Sequence, residues 1–455
     1  MDIRSKAQSG LSLAVAAASL GLLAQSAAAD GFLEDSKASL TLRNFYINSD
    51  NRNGSNAPNK QEEWGQGFLL NYQSGFTEGT VGVGVDALGL LGVRLDSGKG
   101  THYNPTSSSY SGTVFPTDGD GRAVDDFSSL GLTAKAKVSS TEFRYGTLQP
   151  KLPVVTYNDG RLLPQTFEGG QVTSSEIKGL TLIGGQLEHA KGRSSSNNEG
   201  LSIAGANNAQ TGEFVNKFYY AGGDYKLTGD LTLQYYYGNL EDFYKQHFLG
   251  LLHNWQIGPG VLKTDLRYFN SRNDGANGHD RAFFTTGYYG NGVTKGEVDN
   301  QAYSGLFTYT VSGHSFGAGY QVLNGDSDFP FINNGDGATA YLITDVQIGK
   351  FQRAGERTWQ VRYGYDFAKL GLPGLTFSTL YLRGDDIKTG RGDQSEWERD
   401  IALAYVVPDG ALKGLGLAWK NASLRSGLPV SGTGTATQRD QDENRLIVSY
   451  TIPLL

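Results

Sequence analysis

Thr358-Trp-Gln-Val-Arg-Tyr-Gly-Tyr-Asp-Phe-Ala368 is the stretch whose reading decides the fold. Trp359, Val361, Tyr363, Tyr365 and Phe367 fall on one face, and Gln360, Arg362, Gly364 and Asp366 on the other. Strict alternation is the period of a β-strand, whose successive side chains point to opposite sides. One side is made for an apolar surround and the other for water.

Working outward, the same division recurs along the chain. Leu40, Leu42 and Tyr46 oppose Ser39, Thr41 and Arg43; Trp64, Phe68, Leu70 and Tyr72 oppose Gly65, Gly67 and Asn71. Leu130, Leu132, Ala134 and Ala136 oppose Gly131, Thr133, Lys135 and Lys137. Near the end of the chain, Leu446, Val448, Tyr450 and Ile452 oppose Arg445, Ser449 and Thr451. Eighteen strands are predicted, beginning near residues 38, 64, 79, 127, 140, 167, 180, 217, 230, 245, 261, 301, 314, 357, 374, 396, 413 and 442. Their connections alternate between short turns, such as Ser312–His314, and long polar segments, such as Asn324–Glu356. A soluble sandwich has no need of Trp, Tyr and Leu on one face of nearly every strand, and no fixed repeat supports a β-helix. The pattern predicts an all-β fold: an 18-stranded antiparallel transmembrane β-barrel with both ends on the periplasmic side.

Composition supports this and excludes other classes. The chain has 455 residues and no Cys, so neither disulfides nor thiolate metal sites are available. Arg4 and Lys6, the apolar Leu11–Leu23 and Ala27-Ala28-Ala29 read as a signal peptide over residues 1–29, leaving residues 30–455 as the barrel. Beyond residue 29 no apolar run is long enough for a membrane-spanning helix. A formal net charge of −7 argues against a nucleic-acid partner.

The stretch Leu148–Gly169 departs from the alternation. Pro150, Pro153 and Pro164 bar it from a strand interior, yet Leu152, Val154, Val155, Leu162, Leu163 and Phe167 are too apolar for a solvated loop. It reads as the third long loop, folded into the cylinder as a stiff constriction, with Tyr157, Asp159 and Arg161 facing whatever passes.

The polar face carries more than small residues. Arg43, Lys135, Lys137, Arg144, Lys263, Arg267, Arg362, Lys420 and Arg445 share its phase; Arg383 and Arg425 are ambiguous, and Arg383 is counted with the basic wall. Asp86, Glu142, Asp265, Asp366, Glu398 and Asp400 accompany them. Either the two signs pair and fill the lumen, or the cations form a row that guides an anionic group. Enzyme motifs fail on context. Gly313-His-Ser-Phe-Gly317 fits G-x-S-x-G but sits on a turn between strands, where no nucleophile elbow forms. Asp118-Gly-Asp120-Gly lacks the later ligands of a calcium loop, and the six histidines have no metal-ligand spacing. No catalytic residue, metal or cofactor is expected.

The chain resembles the OprD family of substrate-specific outer-membrane porins. The resemblance rests on Gly31-Phe32, Leu42-Arg43-Asn44-Phe45-Tyr46, Trp64-Gly65-Gln66-Gly67-Phe68 and Ser74-Gly75-Phe76-Thr77. It rests further on Arg161-Leu162-Leu163-Pro164-Gln165-Thr166, Trp359-Gln360-Val361-Arg362-Tyr363 and Asn444-Arg445-Leu446-Ile447-Val448. It implies a narrow channel in the bacterial outer membrane, a monomer or weak trimer in contact with outer-membrane lipid. It implies passive diffusion of small anionic or zwitterionic carboxylate solutes past a basic wall, with the third loop opposite. Arg43, Arg144, Arg362, Lys420 and Arg445 are the carried-over wall residues, with Leu380 and Ala418 standing where some members have Arg. A channel for basic amino acids would need an acid such as Asp159 or Glu168, and a less selective general porin is the remaining alternative. The apolar loop favours monocarboxylates.

Overall fold

The computed structural model describes residues 30–52, 60–97, 102, 114–204, 214–276, 297–332, 339–389, 392–428 and 440–455. The proposed signal peptide, residues 1–29, lies outside the described residues. Eighteen antiparallel strands close into a barrel. They are β1 (Lys37–Asn51), β2 (Lys60–Gln73), β3 (Gly82–Ser97), β4 (Asp126–Val138), β5 (Thr141–Leu148) and β6 (Thr166–Ser174). Next come β7 (Leu180–Lys191), β8 (Phe218–Lys226), β9 (Leu231–Leu240), β10 (Tyr244–Ile257), β11 (Gly260–Asn273) and β12 (Asp299–Val311). The last six are β13 (His314–Gly325), β14 (Arg357–Asp366), β15 (Leu375–Ile387), β16 (Gln394–Val406), β17 (Gly416–Ser426) and β18 (Gln441–Pro453). Each strand pairs with its neighbours in the chain, and β18 returns to β1 with Tyr450 beside Leu42, so no edge is left unpaired.

The alternation has a direct cause: lipid wets one side of the wall and the lumen lies on the other. Leu130, Leu132, Phe143, Tyr145 and Val361 stand exposed on the outer face. The order of strands matches the sequence reading. Differences lie at the ends: β3 starts at Gly82 rather than near 79, and β14 stops at Asp366. There Phe367–Leu370 forms a 3₁₀ turn, its start held by Asp366, whose side chain accepts from the Ala368 amide. The turn at Ser312-Gly313 has positive φ at both residues, 50° and 86°, the geometry of a tight two-residue hairpin. That placement confirms a turn, not a nucleophile elbow, for the Gly313–Gly317 motif. A short helix α1, Asp30–Glu34, packs on the β2–β3 turn, where a Cβ on Gly75 would come within 1.9 Å of the Gly31 carbonyl oxygen.

The buried apolar residues lie inside the barrel. One cluster joins Leu152, Val154 and Val155 of loop 3 (residues 149–165) to Phe218, Tyr236, Phe248 and Phe269 of the wall. A second joins Leu162 and Leu163 to the inward Phe45 and Ile47 of β1 and to Phe115 of the loop before β4. Loop 3 thus folds inward, as its prolines and apolar residues predicted. All three of its prolines are buried.

One expectation is overturned. Asn324–Glu356 reads in sequence as a long polar loop, but loop 7 (residues 326–356) also folds inward. Phe329, Phe331, Ile332, Leu342, Ile343 and Phe351 are buried there, and Phe351 packs on Leu382 and Leu424 of the wall. The apolar groups Phe329-Pro-Phe331-Ile332 and Ala340-Tyr-Leu-Ile343 carried the signal, split by a polar middle. The two inward loops meet where Thr156 bridges to Thr339.

Candidate permeation site

Loop 3 is tied to the wall through its polar tip. Asp159 receives two bonds from the Arg43 guanidinium, at 2.7 and 3.2 Å, and Arg43 also donates to the Arg161 carbonyl at 3.0 Å. Of the three loop residues expected to face the pore, Asp159 is the exposed one. Tyr157 is half-buried against the large apolar cluster, with the Lys151 ammonium 5.3 Å from its ring. Arg161 is half-buried and donates to the Gly160 carbonyl at 3.1 Å.

Loop 7 is tied down by the cations of the facing wall. Arg362 donates to the Ile343 carbonyl at 2.6 Å, and Gln360 to the same oxygen at 3.2 Å. Arg267 lies under the Tyr341 ring at 4.0 Å and donates to the Tyr341 carbonyl at 3.2 Å and to Asp265 at 2.7 Å. Arg445 donates to Glu443 at 2.6 Å, to the Gln347 carbonyl of loop 7 at 2.8 Å and to the Gly160 carbonyl of loop 3 at 3.4 Å. Glu398, on the inner face of β16, accepts from the Ile348 and Gly349 amides at 2.8 and 2.6 Å. Sequence reasoning missed these loop-7 anchors, because a carbonyl acceptor carries no residue signature.

The remaining predicted cations separate. Lys135 pairs with Asp86 at 2.7 Å and donates to the Ser74 carbonyl; Arg144 pairs with Asp86 at 3.3 Å and with Glu142. These two follow the bland reading, in which signs pair and fill space. Arg383 is not on the inner face. It stands beside Trp359 on one side and Trp397 on the other, pairs with Asp385, and faces outward with them. The physical reason is that Leu380 and Leu382 face inward beneath loop 7, so apolar and polar phases are reversed on β15. Glu168 pairs with His189 and Asn198, and is not among the partners of Arg43. Among the described residues, Lys137, Lys263 and Lys420 of the polar-phase cations have no hydrogen-bond or ion-pair partner, and of these Lys420 lines a cavity with two further cations.

Arg362, Lys420 and Arg445 line one cavity of about 510 Å³, together with Asp400 and the loop-7 residues Val346 and Gln347. A second cavity of about 400 Å³ lies under loop 3, with Arg144, Asp86 and Lys151. The first holds three cations against one acid, and the second is nearer balance. Outside the strands, burial pushes the Glu356 carboxyl at the root of loop 7 well above the usual range, reinforced by nearby Glu396. Burial raises Asp328 and Asp345 as well, although Arg353 and Lys350 sit beside them.

A closed cylinder with a lipid-facing wall, a polar lumen and two loops narrowing it is a membrane pore. The sequence matches the description "outer membrane porin, OprD family" over residues 30–454. It is 39% identical to the porin-like protein GalP of Pseudomonas putida, over 94% of this chain and 95% of that protein. The crystal structure of Pseudomonas aeruginosa OccK8 (OprE) is similar at 72% identity with a TM-score of 0.84, covering 93% of this chain and 100% of the other. That of Pseudomonas aeruginosa OpdK with vanillate follows at 37% identity and a TM-score of 0.80, with the same coverage of 93% and 100%. The chain belongs to the OprD family and is a channel of the outer membrane, not an enzyme.

Proposed function

We propose that the channel passes small carboxylate-bearing solutes by passive diffusion, and that the cavity of Arg362, Lys420 and Arg445 holds the carboxylate in transit. The observation that carries this is Lys420. It sits directly opposite Arg445 in the β17–β18 register and, among the described residues, has no direct ion-pair partner, with Asp400 the one acid that lines its cavity. Like charges directly opposite destabilise a strand pair, so an unpaired ammonium held beside a guanidinium points to a ligand that supplies the missing negative charge. A relative solved with vanillate, an aromatic carboxylate, is consistent with this chemistry.

Asp400 in the same cavity favours a zwitterion as the second reading. Asp400 lines the cavity that Lys420 and Arg445 share, so an ammonium would meet it there while they meet a carboxylate. Uptake into liposomes tests both readings. Lys420→Ala is expected to lower benzoate flux about five-fold, the equivalent of about 1 kcal/mol for a partly exposed charge contact. Flux of an uncharged sugar of similar size stays the same. Unchanged benzoate flux would sink the carboxylate role of Lys420. Asp400→Asn lowers amino-acid flux and spares benzoate if the zwitterion reading holds.

A further inference from the structure

The outward face of β15–β17 carries charges that the pore does not use. Trp397 on β16 is flanked across the sheet by Arg383 on β15 and Arg425 on β17, both its register partners. Arg399 lies two residues further along the same face of β16. The Arg425 guanidinium is 5.9 Å from the Trp397 ring, and Tyr381 stacks on Trp397 at 5.8 Å. Trp359 stands on the far side of Arg383. Three arginines therefore surround one tryptophan on the outside of a membrane-embedded wall, near the strand ends that lead to the long loops.

An arginine facing the bilayer midplane costs several kcal/mol, and the cost falls to about 0–1 kcal/mol only at the interface. Tryptophan and tyrosine mark that interface. The cluster thus lies level with the outer-leaflet headgroups. Asp385 pairs with Arg383 and Asp442 with Arg425, each at 2.9 Å and each half-buried. Arg399 meets no carboxylate among the described residues; it donates to Asn421 at 2.6 Å and Ser423 at 3.1 Å. The patch keeps one positive charge in excess.

We infer that Arg383, Arg399 and Arg425 bind a phosphate group of an outer-leaflet lipid, whose apolar or sugar portion lies against Trp397, Tyr381 and Trp359. Guanidinium forks match phosphate oxygens in pairs, and three neighbouring arginines on one face offer a phosphate monoester more such forks than isolated surface lysines do. The aromatic floor favours a lipid headgroup over free phosphate, which has nothing to lay on a ring. This site is independent of the carboxylate cavity, since the two lie on opposite faces of the wall.

The test uses the full-length barrel in nanodiscs, with diphosphoryl lipid A, its dephosphorylated form and inorganic phosphate as probes, read by native mass spectrometry. Diphosphoryl lipid A is expected to be retained at least roughly ten-fold more than the dephosphorylated form, in keeping with charge-assisted paired bonds. Inorganic phosphate at equal concentration should not displace it. The triple variant Arg383→Gln, Arg399→Gln, Arg425→Gln should lose that preference, and the triple Arg→Lys variant should keep part of it. Heat-modifiable gel mobility and unaltered benzoate flux establish that each variant is folded. Equal retention of the two lipids, or full retention by the folded Gln variant, would overturn the site. Displacement by inorganic phosphate would overturn its assignment to a lipid, as would preference for an acidic peptide over diphosphoryl lipid A.

Discussion

Six of the inward cations direct their donors into the protein itself, and this decides what each contributes. Arg43 holds the tip of loop 3 by its bonds to Asp159. Asp159 is 41% exposed, so water screens the pair and its contribution is about 1 kcal/mol. Asp159→Asn is expected to loosen the tip without unfolding the barrel, raising single-channel conductance and its noise in planar bilayers. A quiet, unchanged current would show that the apolar residues alone hold the loop. Arg43 and Lys420 share a phase and a charge, and sequence cannot separate them. One is an anchor and the other is unpaired because loop 3 returns to β1 and not to β17. That distinction belongs to the fold of the loops, which a single strand does not record.

At the scale of elements, loop 7 shows how burial of acids couples a channel mouth to pH. Glu356 is fully buried, with the Arg353 amide donating to it at 2.9 Å and Thr358 at 3.3 Å. Its carboxyl is raised by burial first and by Glu396 second. A raised carboxyl binds its proton more readily in the folded than in the unfolded state. Stability therefore falls as pH rises from the ordinary glutamate value, about 4.3, through the raised one. The thermal midpoint should be higher at pH 5 than at pH 8, and Glu356→Gln should reduce that difference. A variant with the wild-type pH slope would remove Glu356 from the account. The same element explains what sequence could and could not tell. Alternation is legible wherever lipid and water wet opposite faces. Under the inward loops the inner face turns apolar, as at Phe45, Ile47 and Leu382, and the contrast fades. The phase of Arg383 is ambiguous in sequence for this reason, and the register puts it outside, whereas Arg362 sits on a strand with full contrast.

For the whole molecule, the wall and the constriction are held by different forces. The wall is a closed ladder of backbone hydrogen bonds whose outer face is covered by lipid. The constriction is a plug of loops held by apolar burial and by arginines that cap carbonyls. Phe351→Ala should cost about 3–5 kcal/mol in the seating of loop 7, as for other large-to-small changes at buried aromatics. That loss should appear as larger, flickering current, while heat-modifiable gel mobility stays that of a closed barrel. A variant that lost the folded mobility would show the wall and plug to be one cooperative unit.

The bridge between Thr156 and Thr339 gives this plug the mechanics of an arch. Loop 3 springs from β5 and β6 and loop 7 from β13 and β14, so the two supports stand on distant parts of the ring. Neither half can swing aside without unseating the other at the crown. Thermal jitter in one limb is then shared by both, and the aperture keeps its span. A solute too wide for it must wait for two loops to yield together, which makes girth, as well as charge, a toll at the same gate.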